Sequence, residues 1–149
     1  LRRVVVSGIG AVTPLGWDIK STWKNLIKNK SGANLISKFD VSDFQTKISC
    51  EVPIKSDQDS KENSFDPTEW FSSKDLRKVD DFIIFGVAAA EMALEDSLLK
   101  NHNFDPNKVG VGVGSGVGGL PSIEQASLTL HEKGPKRVSP FFNPGALKN

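Results

Sequence analysis

The chain has 149 residues, 38% of them hydrophobic, with 19 Lys and Arg against 18 Asp and Glu and a formal net charge of +1. That length suits a single domain of ordinary apolar content, and a charge near zero removes any global electrostatic case for nucleic acid or an anionic membrane. A single cysteine, Cys50, beside His102 and His131 excludes an internal disulfide and any multi-cysteine metal site.

No apolar run reaches the roughly 18 residues of a membrane helix, and no charged-then-apolar leader opens the chain, so the cytoplasm is the expected compartment. Val4-Val5-Val6 is too uniformly β-branched to keep a wet face and reads as a central strand covered on both sides. Ser7-Gly8-Ile9-Gly10 ends it, and Pro14 with Gly16 makes a turn. Asp18 is a good N-cap, and Ile19, Trp23, Leu26 and Ile27 form one apolar stripe on a helix that ends near Asn29 to Gly32 and covers the sheet. Ile48, Cys50 and Val52 alternate with polar residues as in a half-exposed strand, ended by Pro53, which turns Cys50 inward. Nothing near Cys50 would lower its thiol pKa, so it is not read as a nucleophile.

Lys55 to Ser64 is polar and aperiodic, a surface loop. Asp66-Pro67-Thr68-Glu69 has the form of a helix start, and a second start follows with Ser72 and Asp75 spaced as a capping box. From it a long helix is predicted through Leu76, Val79, Phe82, Ile83, Val87, Ala90, Leu94 and Leu98, buried from every side around Val87 to Ala90. Lys74, Arg77 and Lys78 gather at its opening, where cations sit poorly against the helix dipole. A solvated surface and an anionic partner both account for them.

Val109 to Leu120, VGVGVGSGVGGL, runs from a buried strand into a glycine bend. Gly114, Gly116 and Gly119 satisfy G-x-G-x-x-G, the pattern of a dinucleotide-binding turn, but basic Lys136 and Arg137 lie near the distance where an acidic ribose partner belongs. The alternative is close packing of strand on helix without a ligand. Pro121 to Lys133 is an amphipathic helix with Ile123, Ala126 and Leu130 inward and Gly134 beyond its end. Ser139-Pro140-Phe141-Phe142-Asn143-Pro144 then reads as a stiff loop with an apolar tip. Two fully buried strands need neighbours on both sides, and only one further strand is in view. These residues therefore read as the first part of a larger α/β body, completed by later sequence or by another chain.

Several stretches, RRVVVSGIGAVTPLG, STWKNLIKNKSG, Phe39-Asp40, RKVDDF, VGVGVGSGVGGL and GPKRVSPFF, together resemble the N-terminal portion of the β-ketoacyl-acyl-carrier-protein synthase II family. The resemblance implies that residues 1–149 are an incomplete N-terminal segment of a thiolase-like α/β fold, with helices layered on a mixed, mainly buried β-sheet. The family elongates fatty acids by decarboxylative Claisen condensation, with a cysteine at a helix N-terminus and two histidines. None of Cys50, His102 and His131 matches those positions, so no catalytic residue is assigned, the segment alone is expected to be inactive, and no cofactor or metal is implied.

What carries over is peripheral. Val117 matches a position bordering the acyl pocket, and Phe142 one that reaches the partner subunit's pocket across a homodimer. Lys74, Arg77, Lys78, Lys136 and Arg137 match basic positions where the family docks acyl carrier protein, and this tips the basic cluster toward an anionic partner. The alternative is a non-catalytic piece that binds acyl carrier protein or a complementary chain. Asn143, Gly145 and Lys148 depart from the small, apolar helix opening usual after SPFF.

Overall fold

A computed structural model describes residues 2–55 and 64–146. Residues 56–63 of the polar stretch read as a loop, and Lys148, lie outside the described residues. The chain divides into two compact units, one of Leu1–Asp66 with Ala88–Asn101 and the other of Pro67–Val87 with His102–Asn149.

In the first unit, α1 spans Ile19–Leu26 and starts where Asp18 said it would. The Asp18 carboxylate accepts from the Ser21 N–H at 2.7 Å, while Ser21 Oγ accepts from the Asp18 N–H at 3.3 Å, a reciprocal cap. Asn29 leaves the helix at φ 55, a conformation asparagine tolerates. Thr13 and Gly16 exchange backbone hydrogen bonds of 2.9 and 3.1 Å around Pro14, closing the expected turn.

The face that α1 buries is the polar one. Asn25, only 8% exposed, donates from Nδ2 to the Leu15 carbonyl at 2.6 Å, and Thr22 Oγ1 lies 2.9 Å from Thr13 Oγ1. Trp23 and Ile27, on the stripe meant to cover a sheet, are 60% and 63% exposed. The turn supplies a carbonyl and a hydroxyl that need partners once buried, and α1 answers them with its polar side.

Val4–Val6 has no ladder partner among the described residues, and Val4 is 91% exposed, so it is not the covered central strand the sequence predicts. A strand forms only with a neighbour about 4.8 Å away, and no described segment offers one. What fixes the following residues is a helix. α3, Asp81–Asp96, comes so close that a Cβ on Gly10 would lie 1.9 Å from the Ala89 carbonyl oxygen and one on Gly8 2.3 Å from that of Ala93. The Ile9 N–H adds a 2.9 Å bond to Asp96 Oδ2.

The sheet among the described residues is a single antiparallel pair, β1 (Asn34–Leu35) with β2 (Ile48–Ser49), Asn34 facing Ser49 and Leu35 facing Ile48. β2 ends before Cys50, which is exposed rather than turned inward, because the alternation carries no direction once the pairing stops. Phe65, 1% exposed, is the large side chain of this unit's core, held by a parallel bridge to Ile54 and by bonds with Pro53 and Lys55 backbone at 2.7 and 2.9 Å.

In the second unit a 3-10 turn over Pro67–Glu69 precedes α2, Ser73–Leu76, capped by Ser72. The single long helix expected from Ser72 is interrupted after Arg77, and α3 restarts at Asp81. The break has a bond behind it: the Asp80 N–H donates to the Gly145 carbonyl at 3.1 Å, and the Asp80 carbonyl accepts from Ile83 as the first bond of the new helix. Midway along α3, Ala88 is fully buried but Val87 is 40% exposed, so one face is covered and not every side.

α4 spans Leu120–Lys133 and ends at Gly134 with φ 78, close to the expected bounds. Ile123 and Ala126 are half-buried while Leu130 is 51% exposed. The segment read as a stiff loop is in part helical, α5 over Phe142–Ala146. Val109–Val113 has no ladder partner among the described residues, and Val111 is 91% exposed.

Glycine roles separate accordingly. Gly10→Ala is expected to destabilise by about 1–3 kcal/mol, because the helix carbonyl beneath it must move, whereas Gly112, with nothing within 4 Å, should accept alanine within about 0.5 kcal/mol. Denaturant unfolding of the two variants checks this; equal midpoints would mean that Gly10 does not touch α3.

Candidate functional site

The second unit contains a cleft of about 250 Å³ between the α2–α3 break, one face of α4, and the stretch from Arg137 to Gly145. It takes its shape from a junction of backbone bonds. The Asp80 N–H donates to the Gly145 carbonyl at 3.1 Å, and the Gly119 N–H donates to the Ala146 carbonyl at 3.0 Å. The end of α5 thus satisfies one N–H at the start of α3 and one at the start of α4. Ser122, in the first turn of α4, donates its hydroxyl to Asp80 Oδ1.

Glycine is required at this junction. Gly118 has φ 78, and a Cβ on Gly119 would lie 1.7 Å from Asp80 Oδ2. Gly145, one of the departures from the family pattern, sits where a Cβ would come 2.1 Å from the Lys78 carbonyl oxygen, so a small residue is needed after all. A carboxylate therefore occupies the N-terminus of α4, where a dinucleotide phosphate would have to bind. Gly114 and Gly116, by contrast, have nothing within 4 Å. The bend at Gly118 and Gly119 is closely packed without a ligand, but against the Asp80 carboxylate and the end of α5 and not as strand on helix, and the dinucleotide reading does not account for it.

Three of the basic residues singled out in the sequence, Arg77, Lys78 and Arg137, line this cleft, and Phe142 joins them. Lys74 and Lys136 are exposed outside its lining, and Val117, 66% exposed, stands on the bend before Gly118. Lys78 Nζ is held by Asp75 Oδ1 at 2.7 Å and lies 5.6 Å from the centre of the Phe141 ring. Arg77 Nε donates to the Ser73 carbonyl at 3.1 Å, which leaves its other N–H groups for solvent or a ligand. The lining contains neither cysteine nor histidine. The carboxylate that Ser122 meets in Asp80 is too weak a base to ionise a hydroxyl and no imidazole stands beside it, so the arrangement can bind an anion beside an aromatic surface but offers no activated nucleophile. Sequence reading missed Asp80 and Ser122; Asp80 lies in RKVDDF, and nothing in a lone Asp-Asp pair says that its first member bridges to α4.

Residues 1–149 match the family described as beta-ketoacyl synthase, N-terminal domain. The chain belongs to the β-ketoacyl synthase family. It is 42% identical to the 3-oxoacyl-[acyl-carrier-protein] synthase 2 of Rhizobium meliloti (strain 1021), covering 100% of this chain and 35% of that protein. With the protein of the same name from Vibrio harveyi it shares 43% identity over 99% of this chain and 33% of the relative. The chain thus spans about a third of the length of the curated relatives it matches.

Among solved structures it is similar, at TM-score 0.69 and 30% identity over 99% of this chain and 35% of the other, to a chain of AntDE:AntF (apo), a type II PKS acyl-carrier protein in complex with its ketosynthase bound to the hexaketide. A chain of the ishigamide ketosynthase/chain length factor matches at TM-score 0.71 and 25% identity, over 98% of this chain and 34% of that one. The fold class is accordingly that of an N-terminal thiolase-like segment, although the sheet pairing of Val4–Val6 and Val109–Val113 is not formed among the described residues. No helix of the described residues is long and apolar enough to cross a membrane.

The Lys78 ammonium bonded to Asp75, with help from Ser72, holds the Asp75 carboxyl below the usual aspartate range. Because the folded value is the depressed one, the stabilisation is present above the unfolded pKa and is lost as pH falls through the folded pKa. Carbon-detected titration of Asp75 should give a midpoint below that of an ordinary aspartate, moving back upward in Lys78→Ala. An identical midpoint in the variant would mean the ion pair does not form in solution.

Proposed function

We propose that this segment is the N-terminal part of a 3-oxoacyl-[acyl-carrier-protein] synthase that elongates fatty acids. In that reaction a thiolate takes the acyl group from carrier protein, malonyl thioester loses carbon dioxide, and the resulting carbanion attacks the acyl thioester and expels the thiolate. None of Cys50, His102 and His131 is given a part in it. The contribution of these residues is recognition. The arrangement that carries the reading is the meeting of Arg77, Lys78 and Arg137 on one cleft, with Lys74 and Lys136 exposed nearby in sequence, in a chain 42% identical to such a synthase.

An acidic carrier protein is drawn to such a patch from solution and oriented by it, an effect seen mainly in the association rate and weakened by salt. Val117 and Phe142 are assigned to the border of the acyl pocket, with Phe142 reaching the partner's pocket in a homodimer working in the cytoplasm. A second reading, a non-catalytic piece that pairs with a complementary chain, draws on the exposure of Val4 and Val111, both 91%.

Charge reversal decides between docking and bare solvation. Lys74→Glu, Arg77→Glu and Lys78→Glu together should weaken carrier-protein binding by about tenfold or more at low salt, with the loss shrinking as salt is added. Unchanged affinity, with circular dichroism showing an intact fold, would remove the docking role. Residues 1–149 alone should show no condensation of acyl and malonyl thioesters, and measurable turnover would overturn the exclusion of Cys50, His102 and His131.

A further inference from the structure

The carboxylate of Asp80 does two jobs for which the docking patch has no use. Its Oδ1 accepts the Ser122 hydroxyl, while Oδ2 is buried with no hydrogen-bond partner among the described residues. The local donors explain that orphan: the Leu120 N–H is taken by the Gly118 carbonyl at 3.1 Å, and Pro121 has no N–H to give. Oδ2 is nonetheless pressed into the space left by the missing Cβ of Gly119, at the positive end of α4, where its charge is favourable without a direct bond. An isolated surface aspartate would turn that oxygen to water. Here it stays because the backbone of Asp80 is pinned to Gly145 and that of Gly119 to Ala146, which brings the two into contact.

Asp80 therefore touches both elements that carry the pocket residues. Val117 lies two residues before Gly119, on the bend, and Phe142 opens the helix that ends at Gly145 and Ala146. We propose that Asp80 is a positioning residue that locks the bend bearing Val117 and the helix bearing Phe142 to one anchor, and so sets which acyl chain lengths are accepted. The proposal rests on the reading of Val117 and Phe142 as borders of an acyl pocket. Asp80 is not a catalytic residue in this account, since it touches no reacting atom; its effect is on selection between substrates.

The test uses the complete synthase of which residues 1–149 are the proposed N-terminal part, with Asp80→Asn, which keeps size but removes the charge, and Ser122→Ala, which removes the bond to Oδ1 alone. Hydrogen exchange should quicken at the Asp80 and Gly119 amides by about tenfold or more in Asp80→Asn and by less in Ser122→Ala. The ratio of kcat/KM for a long-chain to a medium-chain acyl primer should change about threefold or more in the same order. Unchanged exchange at both amides in both variants overturns the lock. Faster exchange with an unchanged primer ratio in an active enzyme overturns the positioning role alone. Absence of condensation by the complete wild-type synthase that contains residues 1–149 overturns the functional reading beneath it, and the positioning role falls with it. Ser122→Ala carries the test by itself if Asp80→Asn does not fold.

Discussion

The second unit depends on a contact that only glycine permits: a carboxylate resting against the α-carbon of Gly119. Once Asp80 takes that place, the break between α2 and α3 follows, because its N–H is committed to Gly145 and cannot continue a helix from Ser72. The start of α4 follows as well, since the same carboxylate sits where the helix dipole favours an anion. α5, a helix of five residues, is too short to persist unaided, and its last carbonyls gain partners from the two larger helices. A short helix, a glycine bend and two helix starts are thus one structure and not four.

That arrangement also gives the basic cleft its form. Arg77 and Lys78 occupy the interruption between α2 and α3, so the residues that would otherwise wind around an exposed helix are set on a turn, facing α4 and Arg137. Cations at a helix opening carry a small electrostatic penalty, and the interruption relieves it by taking them off the helix. Asp75 steadies Lys78 from one side and the Phe141 ring from the other. The result is a concentrated positive site on a molecule whose net charge is +1.

Local signals were legible in the sequence and pairings were not. The caps at Asp18 and Ser72, the Thr13–Gly16 turn, the span of α4 and the glycine past its end depend on residues within a few positions of each other, and all are found. The polar face that α1 buries was invisible, because the partner of Asn25 is a carbonyl ten residues away and not a sheet. Val4–Val6 and Val109–Val113 have strong strand composition, yet composition cannot supply a neighbour. At the site, Arg77 and Lys78 stood out as a basic cluster and Arg137 and Phe142 were assigned by resemblance, and the structure brings the four to one cleft. Asp80 and Ser122, 42 residues apart, escaped because bridging residues leave no periodic trace.

The uncovered valines have a practical side. Val4, Val5 and Val6, exposed by 91%, 65% and 79%, flank a row of amides and carbonyls with no ladder partner among the described residues. Such a row is adhesive to any extended peptide, since each added residue gains a hydrogen bond and a dry β-branched neighbour. At high concentration that favours self-association into fibrous or amorphous material, and in a crowded cell it invites capture by a chaperone. A complementary strand laid along this edge would remove the hazard, because it would pair the open backbone groups and cover the valines.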